Sequence, residues 1–305
     1  MSEESARPTG AIHDLGYKRY VGTRRAPSTR WRVIMREQVA NGWKRWWRYK
    51  LSLGGAVITA CIAGGLLFFT TNKVIRGFGS AANGIALTFA DGVVPLSISF
   101  FCRMAFVLSL TLGATIIAND TQSGAFTFYY VRSVRPRDYV LGKLAGYGIL
   151  VGTLVLVGPF LLACFRLGLS DDTDQLITYL GILPKVLMIG ALATLAYTAI
   201  PLAISAMVPN RRYALALWAA YYLIIGSIAT AIGVVSKSAA AALDIQTALQ
   251  AFTLDLFDMK ILRGHPNQLD GTTAGIALLV QASLAIGIIW YQVSRDQRSG
   301  VGGAS

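Results

Sequence analysis

The long apolar stretches of this 305-residue chain contain no acid. Its 15 carboxylates all lie outside the cores of those stretches, and the nearest, Asp91, Asp120 and Asp270, stand at their edges. Transporters driven by protons or sodium ions need a carboxylate at depth to bind the coupling ion. The absence therefore speaks against an autonomous secondary transporter, and energy for any movement would come from elsewhere. Charge of either sign is scarce, at 14% of residues, against about 25% in a soluble domain. With 54% hydrophobic residues, the chain reads as a polytopic membrane protein.

Other absences remove whole chemistries. Cys61, Cys102 and Cys164 all fall inside apolar stretches, which excludes a disulfide framework and gives no metal-ligand spacing. His13 and His265 lie far apart and outside those stretches, so an intramembrane Ser–His protease has no base to use. No HExxH motif occurs, and no GxxxxGK[ST] loop that could cradle nucleotide phosphates. The first apolar run starts only after fifty polar residues, so no cleavable leader is expected. The net charge of +13 would suit nucleic acid. It is concentrated in the first fifty residues and a few short loops, so no nucleic-acid partner is expected.

What is present is a set of windows long enough to span a hydrocarbon core, which takes about 20 apolar residues as helix. Leu51–Asn72, Leu144–Phe165, Val186–Asn210, Tyr213–Ser236 and Gly271–Ser294 are free of charge, and Gly92–Asn119 contains only Arg103. Backbone groups in lipid must be satisfied internally, and no window alternates with period two, so helices are predicted and a β-barrel is not. The fold class is an all-α polytopic membrane protein with six transmembrane helices over residues 51–294. Twenty Lys and Arg flank one side of these spans and seven the other, Arg103 aside. By the positive-inside rule both termini are cytoplasmic, including the tail 295–305. Arg103 then lies near the outer interface. It is either a snorkelling interfacial arginine or an intramembrane charge serving substrate or pairing.

Residues 1–27 are rich in Pro, Gly, Ser and Arg and are expected to be partly irregular. From Ser28 the pattern changes. Trp31, Met35, Val39, Trp43 and Trp46 recur at helical spacing with Lys44, Arg45 and Arg48 mostly off the stripe. This predicts an amphipathic interfacial helix over 28–50, with Trp31, Trp43, Trp46 and Trp47 at the membrane interface among lipid headgroups. Between spans five and six, in the outer segment 237–270, Ile245, Leu249, Phe252, Leu256 and Met259 form a narrow apolar seam. An external helical element is expected there. It would rest on the membrane, cap the spans, or touch a partner. Gly142/Gly146 and Gly148/Gly152 have the small-xxx-small spacing of close helix packing. Pro95, Pro159, Pro184 and Pro201 can kink or start helices.

The segment joining spans two and three, 119–143, is long, aromatic and basic: NDTQSGAFTFYYVRSVRPRDYVLGK. Asp120 or Thr121 can cap a turn, Gly124 allows close approach, and Phe126, Phe128, Tyr129 and Tyr130 make an amphipathic knob. Pro136 suits a first helical position, with Arg135, Arg137 and Asp138 open to charge pairing. Aromatics and arginines are what interface hot spots favour. A membrane-hugging connector with a positive-inside bias accounts for the same residues.

This segment resembles the stretch after the second span of ABC-2 type transporter permeases, through Asp120, Ser123, Gly124, Arg135, Tyr139, Gly142 and Lys143. GYKRYVGTRR, from Gly16, is similar to the segment before the first span in some bacterial members. The resemblance implies the permease subunit of an exporter in the inner (plasma) membrane. It further implies dimerisation with a second copy or a homologous permease on two copies of a separate ABC ATPase subunit. The loop would act as a coupling helix, through Asp120, Ser123, Gly124, Phe128, Arg132, Arg135, Arg137, Asp138, Tyr139 and Lys143. This chain would bind no cofactor, and ATP and Mg²⁺ would sit on the partner ATPase. The layout equally suits a non-transporting membrane anchor that relays ATPase motion to an external partner. An intramembrane enzyme has the least support in the sequence.

Overall fold

The computed structural model describes residues 29–44, 46–71, 83–126, 134–170, 173–236, 238–259 and 269–298, with backbone alone at 46, 83–90 and 298. The described residues are helical throughout, with no strand among them. In chain order they form α1 (Arg30–Lys44), α2 (Trp46–Thr71), α3 (Asn83–Thr111), a tight turn Gly113–Thr115 and α4 (Ile116–Gln122). There follow α5 (Pro136–Gly152), a π-turn Thr153–Val157, α6 (Gly158–Gly168), α7 (Thr173–Leu180) and α8 (Ile182–Met207). The chain continues through α9 (Arg211–Ala220), a π-turn Tyr221–Ile225, α10 (Gly226–Ser236), a 3₁₀ turn Ala239–Leu243, α11 (Ile245–Leu256) and α12 (Gly271–Arg298).

Six of these units are long and apolar enough to cross a membrane: Trp47–Thr71, Asp91–Gln122, Pro136–Gly168, Thr173–Met207, Arg211–Ser236 and Gly271–Gln297. Each overlaps one of the windows marked in the sequence; most extend it by up to a few turns, while the first stops one residue short at Thr71 and the fourth three residues short at Met207. The protein is therefore an all-α, multi-pass membrane protein. The extension matters most at the segment 119–143. Residues 119–122 complete α4 and residues 136–143 open α5, so the connector shrinks to 123–135.

Span four is the axis of the bundle. Its α8 packs against spans two, three, five and six, and 67% of its most apolar stretch is buried, against 22% in spans one and five. A helix that is apolar all round and lined with small residues can be enclosed on every side. Gly190 shows why small residues are required: a Cβ there would lie 3.0 Å from both Leu156 Cα and Val155 O in the π-turn of span three. Pro201 sits inside α8, and Pro184 in its first turn.

Helix α1 packs along α5. The contact is glycine against backbone. A Cβ on Gly142 would lie 2.9 Å from Trp31 O, and one on Gly146 2.9 Å from Met35 O. The other glycine pair, Gly148 and Gly152, turns to α8, facing Thr198 and Thr194. Both small-xxx-small pairs are thus real packing faces, and α5 is held between α1 and α8. The face of α1 that is covered differs from the tryptophan stripe read from the sequence. Ile34 and Gly42 are buried, whereas Trp43 and Trp47 are exposed. The tight approach of two backbones needs small or slender residues, so the bulky indoles are turned away from it.

Helix α11 packs on α12 and also touches α3 and α8. Asp244 caps it, accepting from the N–H groups of Gln246 and Thr247. Ile245, Ala248, Leu249 and Leu254 are buried, and Phe252 lies against Gly275. This element thus packs against spans two, four and six of its own chain.

Candidate functional site

The residues of the basic connector converge where α1, α4 and α5 meet. Helix α5 starts at Pro136 because Arg135 is extended (φ −81°, ψ 150°), the conformation a following proline imposes. Tyr139 and Lys143 are then one turn apart on one face. Asp120, in the last turn of α4, meets both. Its Oδ2 accepts from Tyr139 OH at 2.7 Å and lies 2.7 Å from Lys143 Nζ. Lys143 Nζ also donates to Gln38 Oε1 on α1 at 3.2 Å and sits 5.5 Å from the centre of the Tyr139 ring. The Lys143 side chain is 8% exposed and that of Asp120 14%. A charge at that depth is costly unless paired, and here each offsets the other.

Asp120 therefore does not cap a turn, as its place in the sequence suggested: its carboxylate is taken by Tyr139 and Lys143. Phe126 is not part of an outward knob either. It is 1% exposed and packs on Tyr139 with ring centroids 5.1 Å apart. Asp138 is also buried, with Arg137 Nε at 4.0 Å. What remains at the surface is Ser123, Arg135 and Arg137. Gly124, half-buried, has φ +67°, a conformation open to glycine, and a Cβ added there would meet nothing within 4 Å. Phe128 and Arg132, with Tyr129 and Tyr130, lie outside the described residues.

The cluster is braced from α8. The turn Gly113–Thr115 interrupts the helical ladder, and Ser205 Oγ accepts from the N–H groups of Ile117 and Ala118, at 3.0 Å each. Two cavities flank the end of α4. One, of about 140 Å³, lies between α1 and α4, and Glu37, Gln38, Asn41, Asp120 and Lys143 are among its walls. The other, of about 510 Å³, lies between α4 and α9.

The remaining sequence-predicted residues lie apart from this cluster. Trp31 is half-buried on α1, Trp43 and Trp47 are exposed, and the Trp46 side chain is outside the described set. Arg103 is exposed on span two, with its guanidinium 5.0 Å from the centre of the Phe100 ring.

Three contributors were not read from the sequence. Gln38 lies in the row Ile34–Gln38–Gly42, whose spacing of four could have marked the buried face of α1. Arg166, buried in the last turn of span three, pairs with Asp91 at the start of span two and lies 4.6 Å from the Tyr179 ring centre. Opposite charges at two span ends on one side were the available signal. The third is a neutral relay that runs from mid-span toward the end opposite the basic one. Tyr197 and Tyr222 hydroxyls are 3.0 Å apart, and Tyr222 OH donates to Gln246 Oε1 at 3.0 Å. Tyr221 OH donates to Gln281 Oε1 at 3.2 Å, and Gln281 Nε2 to Ala242 O at 2.7 Å.

In comparisons with known protein families and with curated proteins, the chain matches no family model and no individual protein.

Proposed function

We propose that the chain is the permease subunit of an ATP-driven, ABC-2 type transporter working as an exporter, with its basic end in the cytoplasm and its ATPase on a separate polypeptide. The observation that carries this reading is the union of an exposed cationic turn with a buried staple. Arg135 and Arg137 are exposed, while Asp138, Tyr139 and Lys143, one, two and six residues beyond Arg137, are buried, the latter two against Asp120. A partner pressing on the turn moves α5, and Asp120, Lys143 and Gln38 carry that movement into span two and α1 together. The bias of Lys and Arg to this end supports its cytoplasmic placement. ATP and Mg²⁺ are held by the partner. The chain's own part is to receive force at the turn and rearrange its spans around a substrate, as one of two permease copies.

The test replaces Arg135 and Arg137 with alanine together. Exposed charges contribute within about 0.5 kcal/mol each to folding, so insertion and thermal unfolding should match the parent. Retention of the ATPase on co-purification should fall, since interface arginines cost more than about 1 kcal/mol on truncation. Unchanged retention with unchanged substrate-coupled ATP turnover would remove the coupling role and leave a membrane-hugging connector.

A further inference from the structure

We propose that the cavity of about 510 Å³ between α4 and α9 is a binding site for a phosphate group, with Arg211 and Arg212 as its recognising side chains. The volume lies within the roughly 300–1,000 Å³ typical of small-ligand sites. Asn119, Gln122 and Ser123 form one wall, and Asn210, Arg211 and Arg212 the other. The chemistry of this lining is one-sided: among the described residues it has two guanidinium groups, three side-chain amides and a hydroxyl, and no carboxylate. Among the described residues neither arginine has a carboxylate within ion-pair distance. The neighbouring cavity of about 140 Å³ is the internal contrast, because its lysine is already matched by Asp120 and Glu37 stands in its wall. Both arginines line the hollow, and their charge is not offset by an acid in that lining. Their forked N–H groups match phosphate oxygens, and amides and hydroxyls complete the shell.

Position points to the source of the phosphate. Gln122 ends one membrane-crossing unit and Arg211 begins another, so both walls stand where spans leave the hydrocarbon. Tyr213, next to the arginines, is 68% exposed, as suits an aromatic in the headgroup layer. Basic pockets between spans at this level hold acidic lipid headgroups. A phosphate from solution has the same chemistry, and the experiment separates the two. The proposal is independent of the transport reading.

The full chain is purified in zwitterionic detergent, and binding of short-chain phosphatidylglycerol is compared with phosphatidylcholine, with inorganic phosphate as competitor. Phosphatidylglycerol should bind preferentially. Arg211→Gln with Arg212→Gln should weaken it roughly tenfold or more. Arg135→Gln with Arg137→Gln removes equal charge from the same end and should change it by no more than about twofold. Should the first variant fold poorly, Gln122→Glu with Ser123→Asp places negative charge on the opposite wall and should weaken binding likewise. Displacement of the lipid by inorganic phosphate assigns the site to a phosphate from solution, and resistance to it assigns the site to the lipid. Equal weakening by both arginine pairs, or none by Arg211→Gln with Arg212→Gln, overturns the proposal.

Discussion

Each end of the bundle is closed by a helix laid against the spans, and the two closures rest on different physics. At the basic end α1 is held by glycine-to-backbone contact and by the ion pair Asp120–Lys143, with Gln38 attached. At the other end α11 is held by an apolar face, by the neutral pair Tyr222–Gln246, and by the Thr230 and Thr247 hydroxyls, which donate to the capping carboxylate of Asp244 without an ion pair among the described residues. A neutral relay loses one bond when one member is removed. A buried ion pair that loses one member leaves an uncompensated charge. The first closure is therefore brittle to single changes, and the second degrades gradually.

The largest effect should come from Asp120→Ala, which strands Lys143. Breaking a buried pair from one side costs about 3–5 kcal/mol, read as a fall in unfolding midpoint in detergent. Asp120→Leu combined with Lys143→Met should recover most of that loss, since an apolar pair of similar volume is often neutral. A double variant as unstable as the single one would show that the pair supplies more than charge balance.

Gly142→Leu comes next. Its side chain would meet Trp31 O and Ile34, so α1 must lift away, at about 1–3 kcal/mol for an overpacked contact. Gly148→Ala is the control, because its Cβ would stand 3.7 Å from Thr198 in ordinary contact. Emission from the tryptophans of α1 should shift in the first variant alone.

Tyr222→Phe should have the smallest effect, about 1 kcal/mol for the hydrogen bonds lost. A loss as large as that of Asp120→Ala would erase the difference between the two ends.

The six spans were legible because lipid allows a chain few solutions. Twenty apolar residues without a charge become a helix, whatever surrounds them. Pro136 as a helix start and the seam of α11 were legible for similar local reasons. The protein-facing side of α1 was missed: the tryptophan stripe was read as the membrane-interface face, and hydrophobicity alone does not mark which other face meets protein. In a soluble protein the indoles would mark the core, but here the glycines of α5 select Ile34 and Gly42. The connector misled in the same manner. Asp120, Phe126 and Asp138 looked free for a partner, since nothing local says which charges and aromatics of a basic segment are turned inward.

Composition and periodicity by themselves determined that this is an all-helical, multi-pass membrane protein with six spans and a strongly basic end. Those properties follow from the transfer of each segment into lipid, one segment at a time. The tertiary structure decided that span four is the axis, that Gly142/Gly146 face α1 while Gly148/Gly152 face α8, and that Asp120 closes on Tyr139 and Lys143. The glycine and Asp120 contacts join residues from 19 positions apart, as in Tyr139–Asp120, to more than 100, as in Lys143–Gln38, and such contacts have no signature at the spacing of a helical turn.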